Sequence, residues 1–143
     1  MFIGEYNFSV DTKGRIAIPA KFRAMLGKGA VVTRGLDNCL SVYPKTEWTV
    51  VAKKLSSLPI SQANSRAFSR LMLAGAMAVE FDGQGRIVLP EYLRQYAAIG
   101  KKVVIAGLFN RLEVWAEDKW AAYRGQTEKD GNSIAEQLGE LGI

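Results

Sequence analysis

The stretch Asp11-Thr12-Lys13-Gly14-Arg15-Ile16-Ala17-Ile18-Pro19 returns 71 residues later as Asp82-Gly83-Gln84-Gly85-Arg86-Ile87-Val88-Leu89-Pro90. Aspartate, glycine, arginine, isoleucine and proline keep their places in both. Each has a physical role. Aspartate favours the first position of a turn, where its carboxylate accepts the amides that follow. Glycine three residues on suits the positive-φ position of a type I turn with a G1 bulge. The β-prone runs Phe8 to Asp11 and Arg15 to Ile18 flank the first turn, and their counterparts flank the second. This pattern predicts two β-hairpins. Pro19 and Pro90 are expected at the first position of a following helix, where a missing N–H is tolerated.

The repetition extends downstream. Phe22-Arg23 answers to Leu93-Arg94, Val31-Val32 to Val103-Val104, Gly35-Leu36 to Gly107-Leu108, and Asn38 to Asn110. Leu40-Ser41-Val42-Tyr43 matches Leu112-Glu113-Val114-Trp115, and Trp48 matches Trp120. Two copies of one unit therefore make up the chain. Short helices are expected at about Ala20 to Leu26 and Glu91 to Ala98, stopped by Gly27 and Gly100. Two strands close each copy: Ala30 to Thr33 with Cys39 to Tyr43, and Lys102 to Ala106 with Leu112 to Trp115. The first copy carries an extension. Pro44 opens a helix through Leu58 with Trp48, Val51 and Leu55 on one stripe, and Pro59 breaks it. A second helix, Gln62 to Leu73, carries Ala63, Ala67, Phe68, Leu71 and Met72 at helical spacing. The second copy ends in a helix at Glu117 to Tyr123. These boundaries divide the chain into 1–72, 73–124 and a polar tail, 125–143, with a weak amphipathic stretch at Ile134, Leu138 and Leu141.

Composition narrows the chemistry. The 143 residues are 48% hydrophobic and 23% charged, enough for a folded core. There is no histidine and one cysteine. Histidine-dependent nucleophilic catalysis, zinc sites built on histidine and an intrachain disulfide are thereby excluded. No catalytic residue, metal ligand or cofactor is expected. The opening MFIGEYNFSVDTKG has neither a basic leader nor an apolar core, so no signal peptide is expected. The longest run free of polar residues, Leu71 to Val79, is too short to span a membrane. The formal net charge of +5 permits an anionic partner. Residues 1–72 hold 11 Lys+Arg against four Asp+Glu, and residues 73–143 hold eight against ten.

The doubled D-x-x-G-R-I-x-[IL]-P motif, the segment Arg70 to Ala76 and the run Gly107-Leu108-Phe109-Asn110-Arg111-Leu112-Glu113-Val114-Trp115 together resemble the MraZ family of bacterial transcriptional regulators. The resemblance covers Met1 to about Tyr123. It implies an α+β fold of two tandem swapped-hairpin units like those of AbrB-type regulators, a pseudo-dimer in one chain. It further implies a ring homo-oligomer, often an octamer, in the cytoplasm and nucleoid. Such a ring binds double-stranded promoter DNA at short G-containing direct repeats, upstream of its own operon in the cell-division and cell-wall gene cluster, and represses it. The family binds DNA through D-x-x-x-R motifs, matched here at Asp11/Arg15 and Asp82/Arg86. No membrane or small-molecule partner is implied.

The residues support that expectation in their own terms. Arginine's planar fork suits both phosphate and the O6/N7 edge of guanine. Arg15 and Arg86 are therefore the DNA-binding candidates, with Lys13 as a phosphate contact on the first turn. The charge of the two halves favours Arg15 over Arg86. Asp11, Gly14, Asp82 and Gly85 structure the loops. The plainer alternative is that Arg15 and Arg86 only close the turns by ion pairs. Lys21, Arg23, Lys28 and Arg34 add charge and individually read as a solvated face. Trp48, Trp115 and Trp120 read as packing residues, and Cys39 as a small buried hydrophobe. The competing function is a ring-shaped scaffold with incidental affinity for nucleic acid.

Overall fold

The computed structural model describes residues 1–142. Among the described residues, eight strands form one six-stranded antiparallel sheet and a two-stranded ribbon. The first copy contributes β1 (Phe2–Ser9), β2 (Arg15–Ala17), α1 (Ala20–Leu26), β3 (Gly29–Arg34) and β4 (Leu40–Pro44). The extension forms α2 (Lys45–Ser56), then α3 (Ala63–Ser69) running into a π-helical turn, Arg70–Ala74. The second copy contributes β5 (Met77–Glu80), β6 (Arg86–Val88), α4 (Glu91–Tyr96), β7 (Lys102–Phe109), β8 (Leu112–Ala116) and α5 (Glu117–Gln137). The α+β class follows directly.

The predicted local hairpins need correction. The strands on either side of the first turn meet only at its neck, through the Val10–Ile16 bridge and the bond from Asp11 N–H to Arg15 C=O. Beyond that they part and pair with the other copy. β1 runs antiparallel to β7, from Phe2 opposite Phe109 to Ser9 opposite Lys102. β5 pairs with β3, with Gly29 opposite Glu80. β2 pairs with β6, placing Ile16 opposite Ile87. The sheet order β1-β7-β8-β4-β3-β5 therefore reads the same in both directions when copy equivalents are exchanged. The physical reason is burial. Phe2 packs against Phe22 at a ring distance of 5.4 Å, and Tyr6 at 5.5 Å, while Ile16 and Ile87 are fully buried together. A flat local hairpin would leave those side chains in water.

Alternation along the strands gives the sheet two buried faces. Ala30, Val32, Leu40, Val42, Val103, Ile105, Leu112 and Val114 join the core beneath the ribbon, α1 and α4. The opposite face is covered by the extension and α5. Here the repeat recurs in three dimensions: Tyr43 packs on Trp48 of α2 at 5.6 Å, and Trp115 on Trp120 of α5 at 5.4 Å. The buried Thr33 hydroxyl donates to Met72 C=O at 2.6 Å, which ties the π-helical turn to β3. In the predicted second helix of the extension, Met72 is buried, but Ala63 and Ala67 are exposed.

Several helix ends differ from expectation; the helix expected to run through Leu58 stops at Ser56. Pro19 and Pro90 are N-caps, one residue before the first helical position. Gly27 ends α1 at φ +72°, as predicted, but α4 stops at Tyr96, four residues before Gly100. Ala98 takes the left-handed conformation there (φ +52°), and Ile99 N–H donates back to Arg94 C=O at 2.8 Å. This is a Schellman-type stop made without glycine. The last helix does not end at Tyr123 but runs to Gln137, through Gly125 and Gly131. Glu117 and Asp118 in its first turn complement the positive end of the helix dipole, and Gln126–Asp130 and Arg124–Glu128 bridge successive turns. These contacts carry helix through a segment whose glycines signal a break. Among the described residues no helix is long and apolar enough to cross a membrane, and no cluster of three potential ligands could hold a metal.

Candidate nucleic-acid interface

Each motif turn is built by its aspartate. The first closes with Gly14 N–H donating to Asp11 C=O at 3.0 Å, and the second with Gly85 N–H donating to Asp82 C=O at 3.1 Å. Asp11 Oδ1 accepts the N–H groups of Lys13 and Arg15, both at 2.9 Å. Asp82 Oδ1 accepts those of Gln84 and Arg86, at 2.9 and 3.0 Å. The backbone bonds from Arg15 and Arg86 are the main reason that both carboxyls lie below the ordinary aspartate range, with desolvation opposing them. A carboxylate held this way is a poor proton acceptor at neutral pH, which suits structure and not general base chemistry.

The second oxygen of each carboxylate orients the arginine. Arg15 Nε donates to Asp11 Oδ2 at 2.7 Å, and Arg86 Nε to Asp82 Oδ2 at 2.8 Å. The ion-pair alternative is thus present in the structure. As a surface pair it adds little to stability. It engages Arg15 through Nε alone, while Arg86 also turns Nη1 toward the carboxylate of Asp11, 3.8 Å away. The two side chains keep 28% and 25% of their surface accessible, so pairing with aspartate orients the forks without consuming them.

Gly14 and Gly85 adopt φ +76° and +75°, the left-handed region expected of them. They have a second constraint that the turn pattern does not reveal. A Cβ on Gly14 would lie 2.9 Å from Arg94 Cζ, and one on Gly85 would lie 2.6 Å from Arg23 Cζ. Each turn glycine is therefore covered by an arginine of the opposite copy. The ribbon places them there: Leu89 N–H donates to Gly14 C=O at 2.8 Å, and Ile18 N–H to Gly85 C=O at 3.3 Å. Arg94 Nε donates to Leu89 C=O at 2.8 Å, fixing that guanidinium against the first turn. The two turns also touch electrostatically, with Arg86 Nη1 3.8 Å from Asp11 Oδ2. Lys13, exposed on the first turn, has no ion-pair partner among the described residues.

With the turns in place, comparison with known proteins is decisive. The MraZ family model matches the chain twice, at residues 1–71 and 72–138. The protein called transcriptional regulator MraZ in Natranaerobius thermophilus is 50% identical over 143 residues, all of both chains. Those of the same name in Halothermothrix orenii and Clostridium acetobutylicum are 52% and 48% identical, again over the whole of both chains. The chain belongs to the MraZ family. The two matches of the MraZ model divide between residues 71 and 72, and the second runs on to residue 138.

Seen as an MraZ chain, the molecule groups its expected site residues into two equivalent turns joined by one ribbon. Lys13, Arg15, Asp11 and Gly14 share the first, and Arg86, Asp82 and Gly85 the second. Sequence reasoning passed over Arg94 and placed Arg23 on a solvated face. The repeat shows that these two arginines correspond, but not that each covers a turn of the other copy. Cys39 is buried, with its Sγ 3.2 Å from Leu36 C=O, and burial pushes its thiol pKa up, away from reactivity.

Proposed function

We propose that this chain is a transcriptional regulator, a repressor of its own operon in the cell-division and cell-wall gene cluster. It binds double-stranded promoter DNA through Lys13, Arg15 and Arg86, at short G-containing direct repeats. The observation that carries this reading is the paired geometry of the turns. In each, one carboxylate fixes the backbone and the Nε of an arginine, and the guanidinium stays partly accessible to a base or phosphate. The names of the relatives agree with it. On this reading the protein is not an enzyme and acts in the cytoplasm, at the nucleoid.

The exchange of strands between copies supports a swapped-hairpin architecture of the AbrB type, with 1–72 and 73–124 as its units and 125–143 as an appendage. A ring homo-oligomer, an octamer in the family pattern, is the assembly proposed. Its support is the open sheet, which ends on one side in β1 of the first copy and on the other in β5 of the second. Beside β1, Ile3 is 53% exposed and Phe109 70%. Two edges supplied by different copies on opposite sides of the sheet suit a heterologous contact that closes into a ring. Successive subunits then present their turns in the same sense, matching direct repeats in place of a palindrome.

The test is binding to a promoter fragment carrying the repeats, read by fluorescence anisotropy with sedimentation. Inserting about 5 bp between repeats turns the second box to the opposite side of the duplex. Affinity should fall, and Arg15→Ala and Arg86→Ala should each lose about 1–3 kcal/mol per guanine contact. Tight binding by a sedimenting monomer, or indifference to the insertion, would falsify the ring-and-repeat mechanism. Retention of promoter affinity in Arg15→Ala/Arg86→Ala would reject the turns as the reading elements and favour the scaffold.

A further inference from the structure

We infer that each motif turn binds the DNA backbone together with an arginine and a lysine of the other copy: Arg94 and Lys101 beside the first turn, Arg23 and Lys28 beside the second. This rests on the DNA-binding function proposed above and adds four residues to it.

The first cradle is an open groove lined by Val10, Asp11, Thr12, Arg94, Gly100 and Lys101. One wall is the motif turn of the first copy, and the other is the α4–β7 connection of the second. Val10 N–H donates to Lys101 C=O at 2.7 Å and locks the walls together. Arg94 lies against Gly14, and among the described residues only its Nε is engaged, by Leu89 C=O. Lys101 is exposed. The second turn repeats the plan: Phe81 N–H donates to Lys28 C=O at 3.3 Å, and Arg23 lies against Gly85. No carboxylate pairs with Arg23, Lys28, Arg94 or Lys101 among the described residues. Two unpaired cations flanking an arginine-bearing turn form a track of positive charge, and the ligand that fits is a run of phosphodiesters. The exchange also evens out the charge of the two halves. Arg86 belongs to the acidic half by sequence, yet its turn is flanked by cations of the basic half.

The experiment uses the full-length protein with two labelled duplexes, one from upstream of its own gene and one of scrambled sequence, titrated across a range of salt. Lys28→Ala and Lys101→Ala remove exposed side chains, and circular dichroism confirms the fold. Each should weaken both duplexes by the same factor and lower the slope of log affinity against log salt by about one per engaged turn. Arg23→Lys and Arg94→Lys, which keep the charge and lose the fork, should keep the salt slope. Pairing then identifies the partners. Lys28→Ala should be non-additive with Arg86→Ala and additive with Arg15→Ala, and Lys101→Ala the reverse. Lys129→Ala on α5 controls for the loss of any surface cation. A parent protein that binds neither duplex overturns the regulator function and the cradles with it. A parent that binds, with Lys28→Ala and Lys101→Ala unchanged in affinity and slope, overturns the cradles alone. Coupling of each lysine to the arginine of its own copy overturns the cross-copy assignment.

Discussion

Asp11 and Asp82 set what happens at the smallest scale. Both have folded-state pKa values lowered chiefly by accepting the backbone N–H of the arginine four residues on. A depressed carboxyl contributes stability that is complete above its unfolded value, about 3.9. That contribution is lost as pH falls through the folded value. The turns should therefore keep one conformation through the neutral range and down to about pH 5, and open only in acid. Carboxyl titration by NMR, with exchange of the Arg15 and Arg86 amides, would show this; an opening near pH 6–7 would contradict it. Gly14 makes a second residue-scale prediction. Gly14→Val adds a β-branched side chain at φ +76°, against Arg94, whereas Lys13→Ala removes only a terminal charge. The left-handed backbone alone costs a non-glycine residue about 1–2 kcal/mol. Gly14→Val should thus abolish DNA binding under conditions where Lys13→Ala weakens it. Parent-like binding by Gly14→Val would show that the turn tolerates another conformation.

Elements were legible in the sequence where the repeat and the hydrophobic alternation agreed. The strands Val31-Val32, Leu40 to Tyr43, Val103 to Ala106 and Leu112 to Trp115 could be placed because their side chains alternate between two apolar faces. What the sequence could not convey was which strand each would pair with. Pairing is decided by non-local burial: laid along β7, the arm Phe2–Ser9 brings Phe2 and Tyr6 against Phe22. The turn chemistry at Asp11 and Asp82 was legible for the opposite reason, since it is local. Arg94 against Gly14 was not, because it joins two copies across the ribbon. The glycines of α5 misled for a simple energetic reason. Each costs about 1 kcal/mol relative to alanine in a helix, a weak penalty that side-chain pairs and packing at Trp120 outweigh. A Cβ at Gly125 or Gly131 would meet nothing within 4 Å. Gly125→Ala and Gly131→Ala should each stabilise α5 by up to about 1 kcal/mol, measured by urea unfolding and helical ellipticity. Destabilisation by either would mean that α5 is not helical there in solution.

At the scale of the whole molecule, one core serves both copies. Ile16 and Ile87 face each other across the ribbon at the local axis of the repeat, both with no accessible surface. Truncating either to alanine opens a cavity in the same place, so Ile16→Ala and Ile87→Ala should cost similar amounts, about 2–5 kcal/mol each. Their double variant should depart from additivity, because the two side chains share neighbours. Chemical denaturation followed by tryptophan fluorescence should show a single transition throughout, since Trp48 reports on the first copy and Trp115 and Trp120 on the second. Two separable transitions would mean that the copies fold as independent bodies.

The pairing of β1 with β7 also has a consequence for how the chain is made. The partner of Phe2 is Phe109, so β1 leaves the ribosome long before the strand it pairs with. At synthesis rates of about 5–20 residues per second, the arm carrying Phe2, Tyr6 and Phe8 stays unpaired for roughly 5–20 s. The copy that emerges first cannot complete itself, because its β3 also awaits β5. Nascent chains on one messenger would therefore display matching unpaired arms side by side, and an arm that found the β7 of a neighbouring chain would make every hydrogen bond it makes at home. Folding within one chain must outrun that exchange, and the bonds that close the two Asp-Gly turns, spanning three or four residues, are the contacts fast enough to start it.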